Sequence, residues 1–244
     1  MSASLTNRNR ATVLAAAGAM ALSLIAVGDA QAALAAPAAP KKCTIKSYSP
    51  STFVVSEVPN EKEFTVKTTG CTQKSWRIFL VDENGAKSLL IQSVAPVLTL
   101  EAKDLQNELA GHYQALVTVK STDDKTSKKE TTFALLRKST FGKSFDAGPE
   151  PTSPGATLNL VGNLRRVTWG ANPIYQAYAN RTVVVQFRAA GTKAFKKVKS
   201  VKTDATGRVA TTVTANTSGA WRLHFAGSAT TSAANSAADG VKVN

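Results

Sequence analysis

Apolar and polar positions alternate with a period of two along most of the chain after residue 42. That is the spacing of strands with one face buried. Glu63-Phe64-Thr65-Val66-Lys67 shows it cleanly. Trp76-Arg77-Ile78-Phe79-Leu80-Val81 follows, and Asp82-Glu83-Asn84-Gly85 then reads as a hairpin turn. Leu89-Leu90-Ile91 and Leu98-Thr99-Leu100 continue the series. His112 to Val119 is the longest clear strand, and Asp123-Asp124-Lys125 turns it into Glu130–Leu136. Only Ala102 to Leu109 has helical character, enough for a short turn. The pattern resumes with Thr157–Gly162. Val183, Val185 and Phe187 then share one face, as do Val209, Thr211 and Val213, and finally Trp221, Leu223 and Phe225. Turn signals at Gly191-Thr192 and Asp204-Ala205-Thr206-Gly207 separate these runs. Strands at spacings of about 8–12 residues predict an all-β protein of antiparallel sandwich type.

The first 42 residues depart from this pattern. Arg8 and Arg10 lead into an uncharged run from Ala11 to Gly28, followed by Ala30-Gln31-Ala32 and an Ala/Pro-rich stretch. A basic start, an apolar middle and an A-x-A site predict a secretory signal peptide over 1–32. The apolar run is shorter than the ~20 residues a spanning helix needs. Cleavage after Ala32, release from the cell and no stable membrane insertion of the mature chain are therefore expected. Cys43 lacks a lipobox, because Pro40-Lys41-Lys42 precede it. Residues 33–42 read as a flexible Ala/Pro-rich segment.

In an exported chain the two cysteines, Cys43 and Cys71, are most simply one disulfide. Three Pro and three Gly between Phe141 and Gly155 suggest a linker over 142–155. The expected domains are then 43–141 and 156–244, each close to the size of one sandwich.

The halves also echo each other. Gly111-His112-Tyr113-Gln114-Ala115-Leu116 and Gly219-Ala220-Trp221-Arg222-Leu223-His224 both read Gly-x-aromatic-polar before the last strand of their half. With Val185–Arg188, Thr203–Gly207 and Phe225-Ala226-Gly227, this resembles the penultimate-strand region of bacterial Ig-like domains in secreted actinobacterial proteins. The resemblance implies two tandem Ig-like sandwiches. Its motifs are structural and specify no activity.

Candidate chemistry is sparse. His112 and His224 sit in no nucleophile or metal motif. Asp82-Glu83 and Asp123-Asp124 fall in turns, where Asp favours local hydrogen bonds. No dense D-x-[DN]-x-[DN]-G run exists to hold calcium. No catalytic residues, metal site or cofactor are expected. Charge is the one concentrated feature. Net charge is +14 over the whole chain. Segment 139–244 carries 13 Lys/Arg against 4 Asp/Glu, whereas 33–138 carries 15 against 11. Arg188, Lys193, Lys196, Lys197, Lys199 and Lys202 lie on one predicted hairpin, with several expected on one solvent face. A cell-wall polyanion or acidic glycan is the sharper partner for it. Edge protection by lysine is the plainer reading. Nucleic acid is not expected, since aromatics are not interleaved with the cations. Trp169, Tyr175 and Tyr178 form the other cluster, a candidate carbohydrate platform or, more simply, packing residues. The reading is a secreted, non-catalytic module with a structural, adhesive or binding role at the cell envelope. A polyanion- or carbohydrate-binding module and an extracellular enzyme inhibitor are the alternatives.

Overall fold

The computed structural model describes residues 2–6, 42–58, 60–85, 88–93 and 97–244. Most of the expected signal peptide, its cleavage site and most of the Ala/Pro-rich segment lie outside the described residues.

Ten strands make the first half: β1 (Ser2–Thr6), β2 (Thr44–Ser49), β3 (Thr52–Val55), β4 (Asn60–Glu63), β5 (Thr65–Thr69), β6 (Gln73–Asp82), β7 (Ser88–Ser93), β8 (Val97–Leu100), β9 (Gly111–Ser121) and β10 (Thr126–Arg137). One sheet runs β1-β7-β6-β9-β10-β3. It is antiparallel apart from β1 on β7 and β3 on β10. β2 pairs with β5, and β4 with β8. The arrangement is that of an Ig-like sandwich, with β6, β9 and β10 in the places of strands C, F and G. The opening strand is split. Its first part, β2, joins β5, and its second part, β3, crosses to β10.

Alternation puts Trp76, Ile78 and Leu80 of β6 into the core, while Arg77 and Phe79 face out. Phe53, Phe64, Tyr113, Val117 and Phe133 belong to the same core. The Asp82–Gly85 turn forms as its residues dictate. Gly85 takes φ 69° and donates to the Asp82 carbonyl at 3.0 Å. The helical character near residue 105 resolves into two 3-10 turns, Ala102–Asp104 and Asn107–Leu109. The Cys43–Cys71 disulfide ties the start of β2 to the end of β5, with Cα atoms 5.0 Å apart.

The second half comprises β11 (Ser139–Thr140), β12 (Asp146–Gly148), β13 (Ala156–Asn163), β14 (Arg165–Val167), β15 (Tyr175–Ala177), β16 (Thr182–Ala189), β17 (Lys196–Lys202), β18 (Arg208–Ala215), β19 (Gly219–Phe225), β20 (Ala234–Asn235) and β21 (Asp239–Val241). One sheet runs β12-β13-β18, and the facing sheet β17-β16-β19-β20, with β21 also on β19. A small third sheet runs β11-β14-β15. Leu158, Leu160, Val183, Val185, Val209, Trp221, Leu223 and Phe225 fill the second core.

Two expectations about the boundary need correction. Segment 142–155 is not a free linker. It supplies β12, which pairs with β13 and buries Ala147 completely. Its polar and Gly/Pro content reflects the turns on either side of a three-residue strand. The halves also interlock. Val167 and Trp169, from the second half by sequence, belong to the first core. The Trp169 amide donates to Asn107 Oδ1 at 2.8 Å, and its indole N–H to the Val55 carbonyl at 3.4 Å. Buried Arg137 donates from Nε to the Val167 carbonyl at 2.7 Å. Its guanidinium is pushed down to about 10 by burial and by the neighbouring charge of Arg166. Burying a guanidinium is costly, and the bond from Nε to the Val167 carbonyl offsets part of that cost.

Candidate binding face

The structure first disposes of the aromatic cluster. Trp169 packs in the first core and Tyr178 in the second, each 5% exposed. Only Tyr175 is partly open, and it packs against the first core. A sugar platform needs coplanar exposed rings, and two of these three are buried, in different cores. Tyr178 has another role. Arg166 and Arg181 stack on its ring at 4.1 and 4.7 Å, and its hydroxyl meets Ser228 and Thr231 at 3.4 and 3.3 Å. The cations and hydroxyl partners together bring the phenol below its usual value, despite burial.

The remaining groups stay dispersed. His112 lies exposed at the start of β9. His224 Nδ1 meets Asn235 Oδ1 at 2.8 Å across the β19–β20 pair. Asp123 pairs with Lys125 at 2.8 Å, and Asp124 with Lys120 and Lys74 at 2.9 and 3.4 Å. These are turn residues serving the β9–β10 hairpin. Among the described residues no three His, Cys, Asp or Glu side chains gather closely enough to hold a metal.

The basic hairpin does form, as β16 and β17 with Lys193 in its turn, but its six cations do not share one face. β17 is an edge strand, and its register shifts between Val185 and Gln186. On one side of that bulge Lys199 lies opposite Val185, which lies opposite Leu223. Both of those partners are fully buried. Lys196 lies opposite Phe187, which lies opposite Trp221, again a core-side row. Lys196 and Lys199 therefore sit on the core side at an open edge and bring their ammonium groups out past it. Lys199 Nζ reaches the Thr212 carbonyl on the other sheet at 2.8 Å. Inward-pointing lysines on an edge strand obstruct strand-to-strand association.

The outer rows are different. Lys197 lies opposite Gln186, which lies opposite Arg222. Gln186 Oε1 accepts from Arg222 Nε at 2.7 Å. Lys202 lies opposite Thr182 on the same side, and Arg188 lies opposite Ala220. Phe195 joins this group, with the Arg222 and Arg188 guanidiniums 4.0 and 4.9 Å from its ring centre. Cations over an aromatic face are held by its quadrupole. Burial, followed by the charge of Arg188, lowers the affinity of Arg222 for its proton. The outer face of β17-β16-β19 thus carries Arg188, Lys197, Lys202 and Arg222, with Arg188 and Arg222 gathered at Phe195. Arg222 and Phe195 fall outside the hairpin cations singled out from sequence. The alternation of β19, which aims Arg222 away from Trp221, is the signal that could have added the arginine. Among the described residues, none of the four cations is in an ion pair. Every ion pair among the described residues with a carboxylate within 4.0 Å lies between Lys74 and Lys125, in the first half.

No family model matches the chain, and comparison with curated proteins finds no match. Solved structures offer distant likenesses. The D00-D0 domain of intimin is 13% identical, with 82% of this chain and 98% of that one covered and a TM-score of 0.28. Fibronectin(III)-like modules of CbhA from Clostridium thermocellum are 12% identical, with 83% and 93% covered and a TM-score of 0.31. The ligand-binding domain of human OSCAR is 16% identical, with 80% and 95% covered and a TM-score of 0.27. At these scores the likenesses carry no argument about ligand or partner.

Proposed function

We propose that this chain is a secreted, non-catalytic Ig-like protein that binds an acidic polymer of the cell envelope through the outer face of β17-β16-β19. The observation that carries the reading is the set Arg188, Lys197, Lys202 and Arg222, brought onto one face with no carboxylate among the described residues paired to any of them. Unpaired cations on a flat sheet face attract repeating anionic groups by summed, screened charge. The internal disulfide fits export, and among the described residues no helix is long and apolar enough to cross a membrane.

Cosedimentation of the mature chain with purified cell wall tests the reading. Binding should fall steeply from about 0.05 to about 0.5 M salt, as the Debye length shrinks. Lys197→Glu with Lys202→Glu should weaken it at least about tenfold at low salt. Lys143→Glu with Arg165→Glu makes the same charge change on exposed residues elsewhere in the second half, and should do far less. Equal losses in the two variants would mean attraction by net charge alone, and the face would lose its role.

A further inference from the structure

A second basic feature lies in the first half, away from the face just described. β2 pairs only with β5, and β10 pairs with β3 only from Ala134 onward. Residues Thr126–Phe133 of β10 thus have no ladder partner on the side facing β2. The two strand edges run beside each other and leave a groove of about 850 Å³. Lys42, Thr44, Lys125, Thr126, Lys128 and Lys129 line it, and no carboxylate does.

An open gap between strand edges would ordinarily invite a peptide strand. Here side chains have already taken several edge carbonyls. Ser127 Oγ donates to the Cys43 carbonyl at 2.7 Å, and Lys129 Nζ to the Lys46 carbonyl at 2.8 Å. Tyr48 donates its hydroxyl proton to the Thr132 carbonyl, and Thr131 Oγ1 donates to the Tyr48 hydroxyl at 3.0 Å. These bridges hold β2 to β10 and occupy groups that an added strand would need. Free ammonium and hydroxyl groups remain. Lys42 and Lys128 are exposed and in no ion pair among the described residues, whereas Lys125 is balanced by Asp123. Lys129 is pinned in place by its bond to Lys46. From Thr126 to Lys129 the cationic lip extends about 10 Å along the strand. That length suits successive anionic groups of a linear chain better than a single small ion.

We infer that the groove between β2 and β10 binds a linear anionic polymer, of carboxylate- or phosphate-bearing units, at a site separate from the outer face of the second half. The inference does not depend on that face. A chain with a cationic site in each half could engage one polymer at two points, which raises avidity without new contacts.

The test uses the full mature protein with polygalacturonate and inorganic polyphosphate as probes. Three proteins are titrated at low salt: wild type, Lys42→Glu with Lys128→Glu, and Lys197→Glu with Lys202→Glu. Amide chemical shifts are followed at Thr44, Ser127 and Lys129. The groove variant should lose at least about fivefold in affinity for one or both polymers, with shifts at those amides abolished and its melting temperature unchanged. The outer-face variant should keep those shifts. Which polymer shows the larger loss separates carboxylate from phosphate recognition. Wild-type affinity and unchanged shifts in the groove variant would overturn the inference and leave the outer-face reading standing. Loss in the outer-face variant alone has the same meaning. Absence of binding by wild type would remove both proposals.

Discussion

Gly111 and Gly219 occupy the same place in the repeated Gly-x-aromatic motif, yet replacing each with alanine should have opposite effects. At Gly219 a Cβ would lie 2.4 Å from the Arg188 carbonyl oxygen and 2.5 Å from two atoms of the Phe187 ring. Ordinary contact begins near 3.4 Å, so β16 and β19 would have to part by about 1 Å at the Ala189–Gly219 pair. The ring cannot simply swing away, because it packs against Trp221 at 4.6 Å between centres. Forced overpacking costs about 1–3 kcal/mol. Loss of glycine freedom in the unfolded chain returns about 0.4–1 kcal/mol. Gly219→Ala should therefore destabilise by roughly 1–1.5 kcal/mol net. At Gly111 nothing lies within 4 Å of the added carbon. Gly111→Ala should be neutral or stabilising by up to about 1 kcal/mol. Urea denaturation of the oxidised mature chain, followed by tryptophan fluorescence, reads both. A shift in midpoint at constant m-value is the interpretable result. A Gly219→Ala midpoint matching wild type would refute the close-approach argument. Equal destabilisation by both variants would refute the claim that the repeated motif serves different local geometry.

Replacing Cys43 and Cys71 together by serine should cost about 3–4 kcal/mol, the chain-entropy value for a crosslink spanning 28 positions, and intact mass without reductant should show the native chain lacking both thiol protons. Asp123 should contribute to acid sensitivity. The Lys125 and Ser121 hydrogen bonds bring its carboxyl down to about 2. A folded value below the unfolded one means its contribution is present above about pH 4 and fades as pH falls towards 2. Asp123→Asn should flatten the stability profile in that window. An unchanged acid limb would show that other carboxylates govern it.

Much of this protein is written locally. Period-two alternation identified the strands, because neighbouring side chains on a pleated strand must point to opposite sides. Turn chemistry placed Gly85 and Gly207 at their left-handed positions. The export expected from the opening residues, with only two cysteines in the chain, implied the disulfide that joins β2 to β5. The basic excess of the second half is a property of composition alone. Tertiary structure decided which cations act together. A bulge between Val185 and Gln186 resets the register, so Lys197 and Lys199, which regular alternation would put on one face, end on rows of opposite character while Arg222 arrives from another strand. No window along the chain contains that information, since a bulge is defined by pairing with a partner strand. Trp169 looked available for binding because its neighbours are irregular. It is buried because Val55 and Asn107, distant in sequence, close over it. The groove beside β10 exists only because the opening strand splits between two sheets, a choice made by packing of the whole sandwich. Alternation fixes which side chains share a face within one strand. Pairing between strands fixes which of those faces meet, and pairing is a long-range property.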